Sequence, residues 1–523
     1  MISSKIYKYQ EDDMKKIIAS VLCFAMVAGV AGCDSKDETT KATQTTAATT
    51  SAAAETTTTA AEETTTTAAE ETTTAAEETT TAGEAEETTA ATNTTANVEY
   101  GSGSIVIKVY AMSAEVPNML GAFMKQFPDM AAKYKIDAMY CNNDGQGYET
   151  KLNQALKAQE DGITPDIYIA EADYILPYTQ GAFSEYAASY KDFIDDVDNK
   201  VKDAEIAGYT VDLGSKDGEL KALCYQCTGG AFIYRRSIAK DVFGSDDQKT
   251  VEDAIGAGTQ KWDKFFEACA ALKAKGYKMV SGLSDIWVVS EKCSQTPWVV
   301  DGKLNIDPAR SEYIDIAKKM IDEDYTNDTS SWSEAWYSDM IDAGESKVFG
   351  WFGPAWLINY VLADKCQSDN INVGDYAVCV PPVGFWWGGS WLLASKLAVE
   401  NADKKEFVSK FIEWVTLDTT KEGLQYGWAN NSIEGLTAAK DTVSSGKVMK
   451  VSDGTMTFLG GQNPFQIFVD ATSYASSKCK CEYDADLNGT WQDLVNQYAH
   501  GKISKDDITA KFNDAAEAID IEV

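Results

Sequence analysis

Short β-branched runs alternate with helix-like stretches over the main part of the chain. Residues 105–110, 136–140 and 165–170 are typical of strands, and residues 116–127 and 148–159 between them are typical of helices. Strand, helix and strand at this spacing predict βαβ units and a parallel sheet. Ligands of such sheets bind at the carboxyl ends of the strands. The sequence therefore predicts an α/β fold with its ligand site at one edge of a sheet.

The charge of the chain excludes several classes of partner. The 523 residues include 46 Lys and Arg against 81 Asp and Glu, a net charge of −35. Nucleic acids and anionic lipid surfaces are recognised through clustered basic residues, so neither is expected as a partner. Arg occurs only at positions 235, 236 and 310, which disfavours phosphorylated or carboxylate ligands. His500 is the only histidine, so histidine-based zinc sites and Ser-His-Asp triads are excluded, and we expect no cofactor and no metal.

The N-terminal residues have the pattern of an export signal. A basic dipeptide precedes an apolar run, 17–30, which is too short to span a bilayer as a permanent helix. The run ends in Val-Ala-Gly-Cys, which resembles a bacterial lipobox whose cysteine, Cys33, becomes the lipidated first residue. We predict a signal sequence over 1–33 with Met14 as the natural start, and a mature protein anchored by lipid on the extracellular face of the cell membrane. A plain secretory signal with a chance cysteine is the alternative.

Residues 34–102 form a low-complexity segment that repeats Thr-Thr-Thr-Ala-Ala-Glu-Glu several times. Such a segment has almost no apolar surface to bury and cannot offset its chain entropy, so it should stay disordered. We expect a flexible linker that holds the folded part away from the membrane.

Apart from two cysteines in the signal sequence, nine remain, an odd number for a protein expected outside the cell. Cys224 and Cys227 have the spacing of a redox pair, and with Cys479 and Cys481 they could form a four-thiolate metal site. The interpretation that we favour is that all nine are ordinary small apolar residues.

Four segments resemble, in the same order, those of one known protein family. Residues 162–173, Gly-Ile-Thr-Pro-Asp-Ile-Tyr-Ile-Ala-Glu-Ala-Asp, resemble its G-x-x-P-D strand. Residues 225–236 resemble the segment in which the chain of the family passes from the first lobe to the second, here called the outward crossing. Residues 386–393 resemble the segment in which it passes back, the return crossing, and residues 344–356 resemble the G-P-W strand. The family is the family 1 extracellular solute-binding proteins, the sugar-binding lipoproteins of ABC importers that are related to maltodextrin-binding protein. The resemblance covers residues 103–523.

The resemblance implies a two-lobed, periplasmic-binding-protein-like fold with hinge crossings and a ligand cleft between the lobes. We expect lobe one at 103–226 plus 390–430 and lobe two at 229–388 plus 432–523. The resemblance also implies a monomeric receptor, without enzyme activity, that binds a sugar or oligosaccharide and delivers it to the permease subunits of an ABC importer. Closure about the hinge would bury the ligand.

All thirteen tryptophans follow residue 261, and indole faces suit the apolar faces of pyranose rings. Three on predicted helices with apolar neighbours are expected in the core, namely Trp262, Trp414 and Trp491. Four others lie where strands or crossings should open on the cleft, namely Trp287, Trp332, Trp356 and Trp387. We expect at least two of these four to form a stacking surface for the ligand.

Polar candidates for ligand binding lie close to the same crossings in the sequence. Glu171 and Asp173 follow a predicted strand, where the resemblance places hydroxyl-binding carboxylates, although one of them could instead cap the next helix. Gln226 and Thr228 lie at the outward crossing. Gly388 belongs to a Gly-Gly pair at the return crossing, which leaves room for a sugar to approach the backbone.

One further motif resembles a calcium loop. Asp484, Asp486, Asn488 and Gly489 have the spacing of the first half of an EF-hand. The twelfth position is Val495, which lacks the required carboxylate. We therefore expect either a pocket loop, in which Asp486 contacts the ligand, or a capped helix start.

Three classes of function remain open at this point. They are a sugar receptor for an importer, a receptor of the same fold for a peptide, polyamine or metal chelate, and an extracellular glycan hydrolase or lyase. Abundant tryptophan favours a sugar as the ligand, whereas paired carboxylates carry no specific signal in a chain with 81 acidic residues. We predict the first class.

Overall fold

A computed structural model describes residues 95–143, 146–436 and 440–523 of the chain. The predicted signal sequence, Cys33 and the linker up to residue 94 lie outside the described residues. Within those three ranges, no helix combines the length and the apolar composition needed to cross a membrane.

Six strands form the larger sheet, in the spatial order β1, β3, β2, β4, β13 and β7. They are β1 Thr95–Tyr100, β2 Ile105–Ala111, β3 Tyr134–Cys141, β4 Ile167–Glu171, β7 Ala222–Cys224 and β13 Ser390–Ala394. Strand β2 runs parallel to both β3 and β4, which confirms the predicted βαβ units. Strand β13 returns from far along the chain and pairs antiparallel with β4 and β7, so the sheet is mixed rather than wholly parallel.

Strand β1 corrects the predicted end of the linker. The sequence predicts disorder up to residue 102, but Thr95–Tyr100 pairs antiparallel with β3 at the sheet edge. Val98 and Tyr100 pack against the core, whereas Asn97 and Glu99 are exposed. This alternation is that of a half-buried strand, and the neighbouring Thr- and Ala-rich composition hides it in the sequence.

The smaller sheet has three antiparallel strands, in the order β11, β8 and β12. They are β8 Ala231–Arg235, β11 Gly350–Gly353 and β12 Tyr376–Cys379. Alternate side chains of the central strand enter cores on opposite faces, Phe232 and Tyr234 on one face and Ile233 on the other. Each sheet thus has its own core, as expected for a two-lobed α/β fold. Two short ribbons pair β5 Ser215–Lys216 with β6 Glu219–Leu220, and β9 Val299–Val300 with β10 Lys303–Leu304.

Helices cover both sheets and follow most strands. The described α-helices are α1 Glu115–Gln126, α2 Pro128–Lys133, α3 Gly147–Ala158, α4 Leu176–Thr179, α5 Val197–Asp203, α6 Gly208–Leu213, α7 Arg236–Phe243, α8 Gln248–Ile255, α9 Asp263–Lys273, α10 Leu283–Lys292, α11 Pro308–Asp322, α12 Glu334–Met340, α13 Ala355–Leu357, α14 Ala363–Asp369, α15 Lys396–Glu400, α16 Ala402–Thr416, α17 Leu424–Asn430, α18 Gly446–Met449, α19 Phe465–Thr472, α20 Asp484–Ala499 and α21 Lys505–Glu517. A π-helical turn, Ile358–Leu362, joins α13 to α14, and short 3₁₀ turns cover Tyr190–Asp192 and Thr457–Leu459.

Aromatic packing joins α16 to helix α1 in the core of the larger sheet. The ring of Phe123 lies 5.5 Å from that of Phe407 and 5.3 Å from those of Phe411 and Trp414. Trp414 is buried, as predicted, and so are the other two expected core tryptophans, Trp262 and Trp491.

One segment departs from the predicted lobe boundaries. Val443 and Met449 pack in the core of the larger sheet, although the sequence places lobe two from residue 432 onwards. The backbone gives the reason, because the N–H of Ser444 donates to the carbonyl of Tyr225 at 3.0 Å beside the outward crossing. The chain therefore runs back along the first lobe before it enters the second.

The Pro-Asp pair in the family-like strand has a structural role. Asp166 accepts the N–H of Lys108 at 2.7 Å, and its own carbonyl accepts the N–H of Ser395 at 3.0 Å. Its carboxylate also lies 3.0 Å from the ammonium of Lys404 on α16, and both residues are buried. Asp166, which directly precedes β4, thus joins β2 and α16 through its side chain and the end of β13 through its backbone carbonyl.

Replacing Asp166 by Ala should lower the free energy of unfolding by about 3 kcal/mol, because the buried Lys404 ammonium would keep only the exposed Asp161 carboxylate and the N–H of Lys108 would lose its acceptor. Urea titration followed by circular dichroism measures this. The matched control is Lys249→Ala, which removes an exposed ion pair with Asp253 and should leave the unfolding midpoint unchanged. Equal and small effects of both changes would contradict the role given to Asp166.

Candidate functional site

Two chain segments cross side by side between the sheets. Gly229 on the outward crossing pairs antiparallel with Trp386 on the return crossing. The N–H of Trp387 donates to the carbonyl of Thr228 at 2.9 Å, and the Thr228 hydroxyl donates to the carbonyl of Gly388 at 2.6 Å. Thr228 is buried. The Thr228 hydroxyl therefore joins the two crossings to each other. A direct contact between Thr228 and a ligand stays a prediction.

Three of the four predicted cleft tryptophans come together at this crossing. Trp332 stacks on Trp356 with ring centroids 5.9 Å apart and an interplanar angle of 12°. Trp387 lies 4.8 Å from Trp356 and 5.7 Å from Trp332. The indole N–H of Trp356 donates to the carbonyl of Trp387 at 3.0 Å, which fixes the two rings relative to the crossing. We call this group of three residues the tryptophan platform; all three are only partly buried.

The fourth predicted tryptophan is placed differently. Trp287 lies on helix α10 rather than after a strand; it is buried and packs on Tyr313 with ring centroids 5.0 Å apart. The reason is local, because the Asp285 carboxylate accepts the N–H of Gly282 at 2.9 Å and so starts the helix at Leu283. The helix then directs Trp287 into the core of the second lobe.

Among the described residues, Asp486 makes no hydrogen bond or ion pair with a residue of the tryptophan platform. It is exposed in the first turn of helix α20, so the residues with EF-hand spacing are helical rather than a loop. Asp484 of the same turn pairs with Lys480 at 2.8 Å. Within the described ranges, no group of three or more acidic, His or Cys side chains is placed to hold a metal ion.

Gly388 lies between the platform and a carboxylate. Its φ of +80° is in the left-handed region that favours glycine. A Cβ added there would stand 3.4 Å from the indole nitrogen of Trp356 and 3.7 Å from Oε1 of Glu171. Any side chain at residue 388 would thus occupy the space between the indole and the carboxyl group.

Glu171 ends strand β4 and is partly buried. Its Oε2 accepts the N–H of Asp173 at 2.9 Å, so it closes the turn after the strand as well as facing Gly388. Burial raises the pKa of Glu171 to about 8, and the negative charge of Asp173 adds to this rise. The positive charges of Lys480 and Lys292 act in the opposite direction.

Those two lysines are themselves buried and paired. Lys292 contacts Glu291, and Lys480 contacts Asp484. The Lys292 ammonium also lies 5.1 Å from the ring centroid of Trp386. The positive charges near Glu171 at the carboxyl end of β4 are therefore already balanced, that of Lys292 by Glu291 and that of Lys480 by Asp484.

Glu115 is a site residue that sequence reasoning missed. It begins helix α1, directly after strand β2. Its Oε2 accepts the hydroxyl of Tyr225 at 2.5 Å, and its Oε1 accepts the side-chain amide of Gln226 at 3.3 Å. Burial raises its pKa to about 7, while the Tyr225 hydroxyl lowers it. The available signal was its position at the carboxyl end of a predicted parallel strand.

Asp441 is the second missed residue. It is buried, and desolvation raises its pKa to about 7, with a further rise caused by the charge of Glu115. The next residue, Thr442, donates its hydroxyl to the carbonyl of Cys227 at 2.5 Å, which fixes Asp441 beside the outward crossing. Nothing in the spacing of Asp441 indicated this position, because it depends on a third passage of the chain.

Of the cysteines that could have formed a redox or metal site, Cys224, Cys227 and Cys479 are buried and Cys481 is half-buried. Burial raises the pKa of both Cys224 and Cys227. It also raises the pKa of Cys479 to about 12 and that of Cys481 to about 11. Thiols with raised pKa values are poor nucleophiles and poor metal ligands, which agrees with the interpretation of these cysteines as small apolar residues.

The indole faces of the platform, the Glu171 carboxyl group and the glycine backbone at Gly388 therefore lie together where the two lobes join. This arrangement can stack a flat apolar surface and accept hydrogen bonds from the ligand's hydroxyl groups. A two-lobed fold with such a site between its sheets defines a ligand-binding protein of the solute-receptor class.

The family model described as bacterial extracellular solute-binding protein matches residues 122–450. The chain belongs to this family. No curated protein matches the chain by sequence.

Solved structures of solute-binding proteins have the same fold. One, an extracellular solute-binding protein of family 1, gives a TM-score of 0.62 at 16% identity over 80% of this chain and 100% of its own. The sugar-binding protein MalE from Xanthomonas citri gives 0.57 at 15% identity, over 79% and 97% of the two chains. The galacto-N-biose/lacto-N-biose I-binding protein from Bifidobacterium longum, solved with lacto-N-biose, gives 0.53 at 14% identity, over 81% and 99%.

Glu171 should titrate near pH 8 in the ligand-free protein. Its folded pKa of about 8 lies above its ordinary value of 4.5, so the folded state holds a proton that the unfolded chain has already lost. Stability from this group is therefore full below pH 4.5 and declines as the pH rises towards 8. Indole fluorescence should show a transition with a midpoint near pH 8.

Glu171→Gln should abolish this transition, whereas Glu185→Gln on the exposed surface should keep it. An unchanged transition in Glu171→Gln would mean that another group titrates beside the platform.

Proposed function

We propose that this protein is an extracellular receptor that binds a sugar or short oligosaccharide at the crossing and passes it, unchanged, to the permease subunits of an ABC importer. The observation that carries this proposal is the tryptophan platform, which faces Glu171 across Gly388. Closure of the two lobes would then bury the ligand between the indoles and the carboxyl groups.

The platform supports a sugar because of its shape and its exposure. Trp356 and Trp387 meet nearly edge to face, with an interplanar angle of 68°, so their faces point in different directions. Each of the three indoles keeps some of its surface accessible. A pyranose ring has an apolar face of matching size and hydroxyl groups around its edge, which suits a flat surface bordered by carboxyl groups.

The arginines support an uncharged ligand over an anionic one. Arg235 binds Asp342 at 2.7 Å, and Arg310 stacks on Trp298 with its guanidinium 4.0 Å from the ring centroid. Arg236 donates to two backbone carbonyls. All three arginines of the chain are thus occupied in structural contacts, so no guanidinium is left for a phosphate or a carboxylate.

The solved relatives support the same ligand class. One is described as a sugar-binding protein, and another was solved in complex with lacto-N-biose. The family description also places its members outside the cytoplasm. A receptor for a polyamine or peptide and a glycan-cleaving enzyme are the alternative outcomes of the test below.

Trp387→Ala should weaken sugar binding by about one to two powers of ten, because it removes roughly 60–100 Å² of apolar contact, or about 1.5–2.5 kcal/mol. The sugar is chosen as the one with the largest thermal shift in a panel of neutral oligosaccharides. Titration calorimetry on the folded variant gives the affinity, and chromatography of the recovered sugar should find it intact.

Trp414→Ala is the control, because this indole lies in the core beside Phe123. It should lower the melting temperature and leave the affinity of the folded protein unchanged. Unchanged affinity in Trp387→Ala would contradict the platform as the sugar site, and shorter products would move the proposal to a glycan hydrolase or lyase.

We propose further that Cys33 is lipidated and anchors the mature receptor to the outer face of the membrane. The proposal is supported by the Val-Ala-Gly-Cys motif at the end of the apolar run. Cys33→Ala should release the protein from the membrane fraction of expressing cells, as measured by immunoblotting of fractions. Retention of the variant in the membrane fraction would mean that another anchor holds the protein.

A further inference from the structure

Trp332 has an unusual backbone for a large residue. Its φ of +70° lies in the left-handed region, which disfavours any residue with a bulky side chain. Conformations of this kind persist only where the surrounding structure holds them, and they concentrate at functional sites. Contacts of the surrounding residues must therefore keep the ring of Trp332 parallel to that of Trp356.

The segment that carries Trp332 is held against the start of helix α10. The N–H of Ser331 donates to the hydroxyl of Ser284 at 2.9 Å, and the two hydroxyls lie 2.8 Å apart. The N–H of Thr329 donates to the carbonyl of Ser281 at 3.2 Å. A side chain at Gly282 would collide with the carbonyl of Thr329, so the close approach of the two segments requires glycine there.

Trp336 connects this support to the platform. It lies in the first turn of helix α12 and is completely buried, with its ring 5.1 Å from that of Trp332. Its indole N–H donates to Oδ1 of Asp285 at 3.1 Å. The ring of Trp336 is therefore fixed by one hydrogen bond on one side and packs against Trp332 on the other.

Asp285 holds two donors at once. Its Oδ2 accepts the N–H of Gly282 at 2.9 Å while its Oδ1 holds Trp336. The residue is 3% exposed, and burial raises its pKa to about 7. Accepting the N–H of Gly282 at the helix start needs only one of the two carboxylate oxygens. The second oxygen accepts the indole N–H of Trp336.

We propose that Asp285 is a positioning residue for the tryptophan platform: it orients Trp336, and Trp336 holds the ring of Trp332 against Trp356. Asp285 itself does not contact the ligand. The proposal rests on the proposed sugar site, and it assigns a part of the ligand affinity to a carboxylate below the binding surface.

Two variants test this chain of contacts. Asp285→Asn keeps the shape of the side chain but leaves one acceptor for two donors. Trp336→Phe keeps an aromatic ring and removes its N–H. The matched control is Trp298→Phe, because this indole is also fully buried in the second lobe and donates to Asn488 at 2.7 Å.

The first measurement needs no ligand. Two indoles that stack like those of Trp332 and Trp356 give an exciton couplet in circular dichroism. The spectrum of Trp332→Ala identifies the part of the signal that belongs to this pair. Asp285→Asn should weaken that couplet although all indoles remain, while Trp298→Phe should leave it in place. A couplet of unchanged intensity in Asp285→Asn would overturn the proposal.

The second measurement is calorimetry with β-1,6-galactobiose, lacto-N-biose and maltotriose as separate probes. Asp285→Asn and Trp336→Phe should each weaken binding of any probe that the wild type binds by about 3- to 10-fold. In a Trp332→Ala background, the same changes should have no further effect. A general loss of packing would instead lower affinity equally in both backgrounds, which would overturn the proposal.

If the wild type binds none of the three probes, the proposed sugar function is contradicted for these ligands. The couplet measurement then still decides whether Asp285 positions Trp332. The two failures are therefore separate.

Discussion

The antiparallel pairing of the two crossings is the contact on which the rest of the structure depends. Gly230 donates its N–H to the carbonyl of Phe385 at 2.9 Å, and Trp387 donates to Thr228 at the same distance. On one side this ladder leads into β13, which completes the larger sheet. On the other it fixes the position of Trp387. The joint between the lobes and the proposed binding surface therefore share residues, so a change in the angle of the joint would also change that surface.

The electrostatics of the site follow from burial in an acidic protein. Glu171 has a pKa of about 8, and Glu115 and Asp441 have pKa values of about 7. In each case loss of hydration is the largest cause. Carboxyl groups in this range can donate a hydrogen bond when protonated and accept one when ionised. Such groups suit the hydroxyls of a neutral ligand, which can act as donor or acceptor in turn.

Much of the fold could be predicted from the sequence, because strand periodicity and the crossing motifs are local patterns. The structure brings three of the four candidate tryptophans together beside the return crossing, and their contact with a ligand stays a prediction. Trp287 is not among them, because a capping interaction of Asp285 turned the expected strand end into a helix. Asp441 could not be found, since its position depends on a hydrogen bond between Thr442 and Cys227, more than two hundred residues apart. Long-range contacts of this kind leave no spacing in the sequence.

The two sheets carry different parts of the proposed binding site. Trp332 and Trp356 pack against one core of the smaller sheet and Trp387 against its other core, so all three indoles belong to the same lobe. Glu171 ends a strand of the larger sheet, and Glu115 follows another. In the proposed site, one lobe would thus supply apolar stacking and the other would supply hydrogen bonding. On the proposed function, a ligand that offers only one of these surfaces would engage only one lobe, whereas a sugar, which offers both, would favour the closed arrangement.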